Sequence, residues 1–117
     1  MILNHLNLAV SDVQGARAFL MKYFGLDPGG KPGNDTIAFL RDDSGMVLTL
    51  TNIDRAAEVT YPGAFHIGFI QESPGRVDEI NRRLQEDGFE VEPPRRLHGS
   101  WTFYFLAPGG FVIEVLA

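Results

Sequence analysis

The stretch that decides the fold is Thr102-Phe-Tyr-Phe-Leu-Ala-Pro-Gly-Gly-Phe-Val-Ile-Glu-Val-Leu-Ala117, at the C-terminus. Its two apolar runs, joined by a Pro-Gly-Gly turn, predict a β-hairpin. One carboxylate, Glu114, interrupts the second run, and an ionised carboxylate is costly to bury in an apolar strand unless a cation or water meets it. The hairpin therefore predicts a partner for Glu114, which is a metal ion, an arginine or solvent.

The composition indicates one globular domain: the chain has 117 residues, of which 44% are hydrophobic and 21% charged. A net charge of -5 disfavours nucleic acid and anionic membranes as partners, since both require a basic face. Without cysteine, the chain has no disulfide and no thiolate, so a metal would be bound by His and carboxylate ligands. No signal peptide or membrane-spanning stretch is evident, and we expect a cytoplasmic protein.

The first half has the pattern of a strand, a helix and a hairpin. Residues Ile2 to Val10 alternate like a half-buried strand, with His5, Asn7 and Ala9 on its wetter face. Ser11, followed three residues later by Gln14, predicts a helix N-cap, and Gly25 predicts the end of that helix. Two further strands are predicted around an Asp-Asp-Ser-Gly turn, over Thr36 to Leu40 and Met46 to Thr51.

The second half repeats this plan. A strand is predicted from Ala64 to Gln71, and Ser73-Pro74 is a typical start for the helix that Gly88 ends. Glu90 to Leu97 follows as an edge segment interrupted by proline, and the C-terminal hairpin completes the half. The sequence therefore predicts a single domain over residues 1–117, with one module at about 1–52, a linker at 53–63 and a second module at about 64–117.

The two halves can be superimposed residue by residue. Thr36-Ile-Ala-Phe-Leu40 lies over Thr102-Phe-Tyr-Phe-Leu106, and Gly45-Met-Val-Leu-Thr-Leu50 lies over Gly110-Phe-Val-Ile-Glu-Val115 after a gap of one residue. His5 then lies over His66, and Thr49 lies over Glu114. Two histidines and one carboxylate form a ligand set that suits Fe, Mn, Zn, Ni or Co and leaves positions open for substrate. The alternative is that the histidines are structural or surface residues.

Four blocks of sequence resemble the vicinal oxygen chelate superfamily, the glyoxalase, bleomycin-resistance and extradiol-dioxygenase group. They are Asn4-His-Leu-Asn-Leu-Ala-Val-Ser-Asp12, Tyr23-Phe-Gly-Leu26, Phe65-His-Ile-Gly-Phe69 and Phe103-Tyr-Phe-Leu-Ala-Pro-Gly-Gly-Phe-Val-Ile-Glu-Val115. The resemblance implies an α+β fold of two tandem βαβββ modules, whose curved mixed sheets form a cup-shaped site. It also implies a homodimer, in which the cup of many short relatives takes one module from each chain.

The resemblance implies a metal site as well, because His5, His66 and Glu114 occupy the positions of the superfamily's metal ligands. Thr49 occupies a fourth position, where glyoxalase I enzymes usually have Glu or Gln. A threonine hydroxyl has no accessible pKa near neutrality and cannot serve as the base of that reaction. We therefore expect a three-ligand enzyme that is dioxygenase-like or thiol-transferase-like, and neither a glyoxalase I nor a methylmalonyl-CoA epimerase.

Seven residues are candidates for catalysis or substrate binding. Tyr104 would match a substrate-contacting tyrosine of the fosfomycin-modifying thiol transferases, whose lysine has no counterpart here unless Arg95 or Arg96 replaces it. His98 is a candidate acid-base residue, although a surface-loop histidine is the alternative. Trp101 is either a wall of the cup or a core aromatic residue. The candidate catalytic residues are His98 and Tyr104, and the candidate substrate-binding residues are Asn7, Thr49, Arg96, Trp101 and Thr102.

Three functions fit these observations. The first is an enzyme in which a divalent metal ion chelates two oxygens of a small substrate. The second is a non-catalytic dimer that binds a drug or metabolite, as bleomycin-resistance proteins do, and a third is an accessory subunit with a vestigial site. Bleomycin-resistance proteins generally lack the metal ligands, so the intact set favours the enzyme.

Overall fold

The computed structural model describes residues 1–117 and contains two helices and two mixed β-sheets, which confirms the expected α+β class. The elements in chain order are β1 (His5–Ala9), α1 (Val13–Phe24), β2 (Ile37–Arg41), β3 (Val47–Thr51), β4 (Ile67–Ile70), α2 (Pro74–Glu86), β5 (Arg95–Leu97), β6 (Ser100–Ala107) and β7 (Phe111–Leu116). The chain divides into two compact units. Unit 1 contains residues 1–61 and 107–111, and unit 2 contains residues 62–106 and 112–117.

The sheet of unit 1 has the strand order β1-β3-β2, with β1 parallel and β2 antiparallel to β3. The alternation predicted for β1 is confirmed, because Leu8 is buried whereas His5, Asn7 and Ala9 are exposed. Helix α1 packs against β2 and β3. Buried leucines come from each of these four elements and are Leu8, Leu20, Leu40, Leu48 and Leu50. Each fully buried leucine contributes about 1.5–3 kcal/mol through the hydrophobic effect.

Helix α1 begins one residue later than the sequence predicted. Its N-cap is Asp12, whose Oδ1 accepts a hydrogen bond from the Gly15 amide at 2.8 Å. Ser11 was the expected cap, but its own amide donates to the Gly109 carbonyl at 2.9 Å. Aspartate is as good a cap as serine and also places a negative charge at the positive end of the helix dipole. The predicted stop is confirmed, since Gly25 has a left-handed backbone with φ of 66°.

A single β-bridge takes the place of a fourth strand in unit 1. The backbones of Asp27 and Arg41 exchange hydrogen bonds of 2.9 and 2.8 Å, and no strand extends from this bridge. Two prolines and three glycines lie between residues 28 and 33, which prevents a regular ladder. The segment is therefore a loop pinned to β2 at its start.

The sheet of unit 2 has the order β4-β7-β6-β5 and the complete β-α-β-β-β sequence of elements. Ser73 caps α2 by accepting a hydrogen bond from the Arg76 amide at 3.2 Å, and Pro74 occupies the first turn, as predicted. The buried stripe of α2 consists of Val77, Ile80, Asn81 and Leu84. Neither helix is long and apolar enough to cross a membrane.

The Pro-Gly-Gly turn between β6 and β7 packs in unit 1. Gly109 has a φ of +101°, and a Cβ atom at this position would lie 3.1 Å from the Cβ of Val10 and 3.3 Å from that of Ala16. Both the backbone conformation and the close approach require glycine. The turn therefore completes the packing around β1 and α1.

We predict that Gly109→Ala destabilises the protein by about 1–3 kcal/mol, because a left-handed alanine is strained and Val10 must shift. Urea unfolding followed by circular dichroism measures this loss. Gly63→Ala is the matched control, since Gly63 has an ordinary φ and open space around it. Equal unfolding midpoints for the two variants would contradict the role assigned to the turn.

Candidate metal centre

Unit 2 brings His66 and Glu114 together on one face of its sheet. Gly68 of β4 pairs with Glu114 of β7, and His66 lies two residues before Gly68, on the same face. The His66 Nε2 and Glu114 Oε2 atoms are 3.3 Å apart. The side chain of His66 is 38% exposed and that of Glu114 is 15% exposed, so the pair is open to a ligand from solvent.

The hydrogen bond of His66 to the backbone determines which ring nitrogen faces Glu114. Its Nδ1 atom lies 2.9 Å from the Ala64 carbonyl oxygen, which can only accept, so Nδ1 carries a proton. In the neutral imidazole, Nε2 then presents a lone pair to the Glu114 carboxylate. Two lone pairs at this distance repel each other unless a proton or a metal cation lies between them. This arrangement is also the usual one for a metal-bound histidine, whose second nitrogen donates to a carbonyl.

The spacing of the pair fits a shared metal ion. Typical bonds to zinc are about 2.0–2.1 Å from histidine nitrogen and 2.0–2.2 Å from a carboxylate oxygen. Ligand-metal-ligand angles between 90° and 109° then separate the two ligand atoms by about 2.8–3.5 Å. The 3.3 Å between His66 Nε2 and Glu114 Oε2 lies in this range.

The partner of Glu114 on its other side is Thr102 of β6. The Thr102 hydroxyl donates to Glu114 Oε1 at 3.0 Å and also lies 2.9 Å from the Val115 carbonyl. Thr102 is almost completely buried, at 1% exposure, so it orients the carboxylate instead of presenting a surface to substrate. This placement differs from the substrate-binding role expected from the sequence.

Tyr104 stands beside the pair. Its ring meets that of His66 edge to face, with centroids 5.3 Å apart and an angle of 83° between the planes. Desolvation and the nearby Glu114 carboxylate raise the pKa of Tyr104, while Arg95 opposes the shift. Tyr104 therefore keeps its proton at neutral pH and can donate a hydrogen bond to a ligand at this face.

We predict that Tyr104 ionises above its ordinary pKa of 10.0 and that Glu114→Gln lowers its pKa, because the amide removes the negative charge. Because the pKa of Tyr104 is higher in the folded protein, its protonated phenol contributes to the free energy of unfolding. This contribution is complete below pH 10 and disappears as the pH rises through the folded-state pKa. Ultraviolet absorbance of the phenolate, with the Tyr104→Phe spectrum subtracted, measures the midpoint. An unchanged midpoint in Glu114→Gln would contradict the coupling.

Arg96 and Trp101 lie on the opposite face of β5 and β6 from Tyr104. Arg96 pairs with Trp101, its guanidinium lies 5.8 Å from the indole centroid, and the Trp101 Nε1 donates to Asp78 of α2 at 2.7 Å. Strand alternation turns Arg95 to the face of Glu114 instead, beside Thr102. Arg95 therefore replaces Arg96 as the cation near the pair, and Trp101 is part of the helix-side packing.

His98 lies in the turn between β5 and β6. His98 and Gly99 both have left-handed backbones, with φ of 51° and 82°, and they form a two-residue hairpin turn. His98 is exposed. Its position is explained by the turn, and the structure gives no contact that supports the acid-base role expected from the sequence.

Unit 1 carries the equivalent set of residues on the exposed face of β1. Asn7 pairs with Thr49 as Gly68 pairs with Glu114, and His5 lies two residues before Asn7. The correspondence of His5 with His66 and of Thr49 with Glu114 is thus present in the strand registers. His5 Nδ1 lies 3.0 Å from Asn4 Oδ1, and the ring is exposed.

Asn7 and Thr49 are both constrained by their neighbours. Asn7 Oδ1 accepts a hydrogen bond of 2.8 Å from the Thr51 hydroxyl, and Thr49 is only 6% exposed. Thr49 therefore contributes to the base of this face. Within the chain, no group of three His, Asp or Glu side chains is arranged to hold a metal ion.

Comparison with known proteins adds to this geometry. A model of the Glyoxalase/Bleomycin resistance protein/Dioxygenase superfamily matches residues 2–115. The chain is similar to a possible glyoxalase from Bacillus cereus, at 53% identity and a TM-score of 0.89, covering 100% of this chain and 99% of that one. It is also similar to a mutant of the fosfomycin resistance protein FosX from Listeria monocytogenes, solved with Mn(II) and 1S,2S-dihydroxypropylphosphonic acid. That match has 25% identity, a TM-score of 0.75 and coverage of 100% and 93%.

A more distant structure shares the fold. Lactoylglutathione lyase from Agrobacterium tumefaciens is 22% identical, with a TM-score of 0.75 and coverage of 98% of this chain and 92% of that one. No curated protein sequence gives a significant match. The expected glyoxalase-like fold is confirmed by these structures. The chain therefore belongs to the Glyoxalase/Bleomycin resistance protein/Dioxygenase superfamily, the vicinal oxygen chelate group.

Proposed function

We propose that the protein is a divalent-metal-dependent enzyme acting on a small molecule, with the ion held by His66, Glu114 and His5. The observation that carries the proposal is the lone pair of His66 Nε2 facing Glu114 Oε2 at 3.3 Å, because this pair requires a shared cation or proton. Two histidines and a glutamate suit Mn(II), Fe(II), Zn(II), Ni(II) or Co(II). The FosX relative, which was solved with Mn(II), makes Mn(II) the first metal to test.

We further propose that the third ligand comes from a second copy of the chain. His5 belongs to unit 1, whereas His66 and Glu114 belong to unit 2, and the cup of many short relatives takes one module from each chain. A two-fold dimer pairs the same surfaces reciprocally, so it would create two equal sites. Each site would combine His5 of one copy with His66 and Glu114 of the other.

The residues around the pair have distinct roles in this proposal. When bound, a divalent ion supplies a Lewis acid for two neighbouring substrate oxygens. Thr102 holds Glu114 through its hydroxyl, and the Ala64 carbonyl holds His66. Tyr104, which keeps its proton at neutral pH, donates a hydrogen bond to a substrate oxygen. Arg95, on the same face, compensates negative charge that develops on the substrate.

Thr49 limits the reaction class. It takes the position equivalent to Glu114 in unit 1, and its hydroxyl cannot act as a base near neutral pH. The chain therefore lacks, at this position, the carboxylate that proton transfer of the glyoxalase I type requires. The proposed reaction is dioxygenase-like or thiol-transferase-like, with three protein ligands on the metal.

An activity panel tests this proposal. Protein without a His-tag is stripped with chelator, reloaded with each of the five metals and assayed with catechols, with a thiol plus an epoxide, and with 2-oxoaldehydes plus a thiol. We expect turnover of a catechol or of the thiol-epoxide pair that requires the metal. Turnover of 2-oxoaldehydes alone would overturn the reaction class, and metal loading without any turnover would favour a small-molecule-binding dimer over an enzyme.

A further inference from the structure

Unit 1 contains a cavity of about 250 Å³ between the sheet and the loop that follows α1. It is lined by Phe39, Arg41 and Val47 of β2 and β3, and by Asp27 and Lys31 of the loop. The backbone bonds between Asp27 and Arg41 fix the loop to the edge of the sheet. The cavity is therefore formed by one pinned loop and two paired strands.

The cavity carries two cations that have no ion-pair partner. Neither Lys31 nor Arg41 forms a salt bridge or a side-chain hydrogen bond in the structure. The one carboxylate in the lining, Asp27, accepts a hydrogen bond of 2.7 Å from the Gly29 amide. Two unpaired cations against one engaged carboxylate leave the cavity electropositive in a chain of net charge -5.

The lining of the cavity also offers an apolar surface. Phe39 is 47% exposed, which is unusual for a phenylalanine in the middle of a strand. It pairs with Thr49 across the sheet, so its ring lies on the same face as the candidate-site residues of unit 1. An aromatic ring beside two unpaired cations matches a ligand with an apolar body and an anionic group.

The position of the cavity relates it to His5. Val47 pairs with His5 on one side and with Arg41 on the other, so the three residues form one row across the sheet. Neighbouring strands are about 4.8 Å apart, which places the Cα atoms of His5 and Arg41 about 10 Å from each other. A small molecule with one end at His5 can therefore reach the Arg41 side chain with the other.

We propose that this cavity binds the anionic group of the substrate, and that the substrate is a small organic anion with an apolar or aromatic body. Arg41 and Lys31 would contact the anion, Phe39 and Val47 would contact the body, and the end near His5 would carry the chelating oxygens. The substrate assignment rests on the proposed metal function. Binding of an anion in the cavity does not, because none of the cavity residues is a proposed ligand of the metal.

Phenylphosphonate is the probe, and isothermal titration with chelator-treated wild-type protein measures its affinity. We expect saturable binding that weakens by about tenfold or more in Arg41→Met and in Lys31→Met, since each loses a charge-assisted contact. The matched control is Arg82→Met, which removes the same charge from an exposed residue of α2. Benzyl alcohol, which has no charge, and inorganic phosphate, which has no apolar body, are expected to bind more weakly than phenylphosphonate.

Several outcomes would overturn the proposal. The first is that the wild type shows no saturable binding, and the second is that Arg41→Met and Lys31→Met bind phenylphosphonate as tightly as the wild type. The others are that Arg82→Met loses as much affinity as these two variants, or that phosphate binds as tightly as phenylphosphonate. Repeating the titration with Glu114→Ala separates this proposal from the metal function. Retained phenylphosphonate binding in a variant that has lost Mn(II) supports the cavity site by itself, whereas loss of both would show that the cavity is not an independent site.

Discussion

Glu114→Ala is expected to lower the affinity for Mn(II) by more than about 100-fold, because even groups that only orient a metal ligand contribute about 10–100-fold. The carboxylate is the only charged ligand of the proposed set, and His66 Nε2 lies 3.3 Å from it. The measurement is thermal unfolding with and without the metal. At about 100 times its Kd the metal stabilises the wild type by about 2.7 kcal/mol, and Glu114→Ala should show no such shift.

Two further variants make this result specific. Glu72→Gln removes an exposed glutamate and should bind Mn(II) like the wild type. Thr102→Val removes the hydroxyl that donates to Glu114 Oε1 and should show a smaller loss, of about 10–100-fold. If Glu114→Ala bound Mn(II) as tightly as the wild type, the metal centre assigned to this pair would have to be abandoned.

Mixing His5→Ala with Glu114→Ala, two variants that should each fail to bind metal alone, is expected to restore metal binding because the proposed site is shared between copies. In a dimer of His5→Ala with Glu114→Ala, one site has lost both ligands, but the other combines an intact His5 with an intact His66 and Glu114. Random pairing after joint refolding makes half of the dimers mixed, so about a quarter of all sites should bind metal. Native mass spectrometry with Mn(II) counts the ions bound to the mixed dimer.

The controls for this experiment are the two variants refolded separately, which should bind no metal. A mixed dimer without any metal would contradict the shared site, as would a wild type that stays monomeric while it binds Mn(II). Neither result would decide whether His66 and Glu114 bind the metal, which the Mn(II) affinity of Glu114→Ala tests. The two experiments therefore examine the identity of the ligands and their distribution between copies independently.

The features that the sequence predicted correctly depend on the two-residue period of strands. Apolar residues alternate with His5 and Asn7, which predicts that both lie on the exposed face of β1, and the structure has this arrangement. The alignment of the halves predicted that Thr49 corresponds to Glu114, and the registers of β1 with β3 and of β4 with β7 agree. The two-residue period of strands and the internal repeat are properties of the sequence, so both can be recognised before the structure is known.

The features that the sequence could not decide depend on single-residue choices and on loops. Arg95 and Arg96 are adjacent, and only the pairing of Arg95 with Thr102 shows which of them shares the face of Glu114. Trp101 could be a wall or a core residue until its hydrogen bond to Asp78 placed it beside α2. The cavity at Phe39 and Arg41 depends on the bridge from Asp27, which lies in a segment that has no periodic pattern.

The Pro-Gly-Gly turn has a consequence for how the chain folds as it is made. Domains commonly fold from the N-terminus while the ribosome is still adding residues. Unit 1 cannot follow this order, because residues 107–111 complete it. Until they emerge, the Ser11 amide lacks the Gly109 carbonyl and Val10 lacks its cover. The N-terminal half therefore reaches its native packing only after residues 107–111 have been synthesised and have left the ribosome.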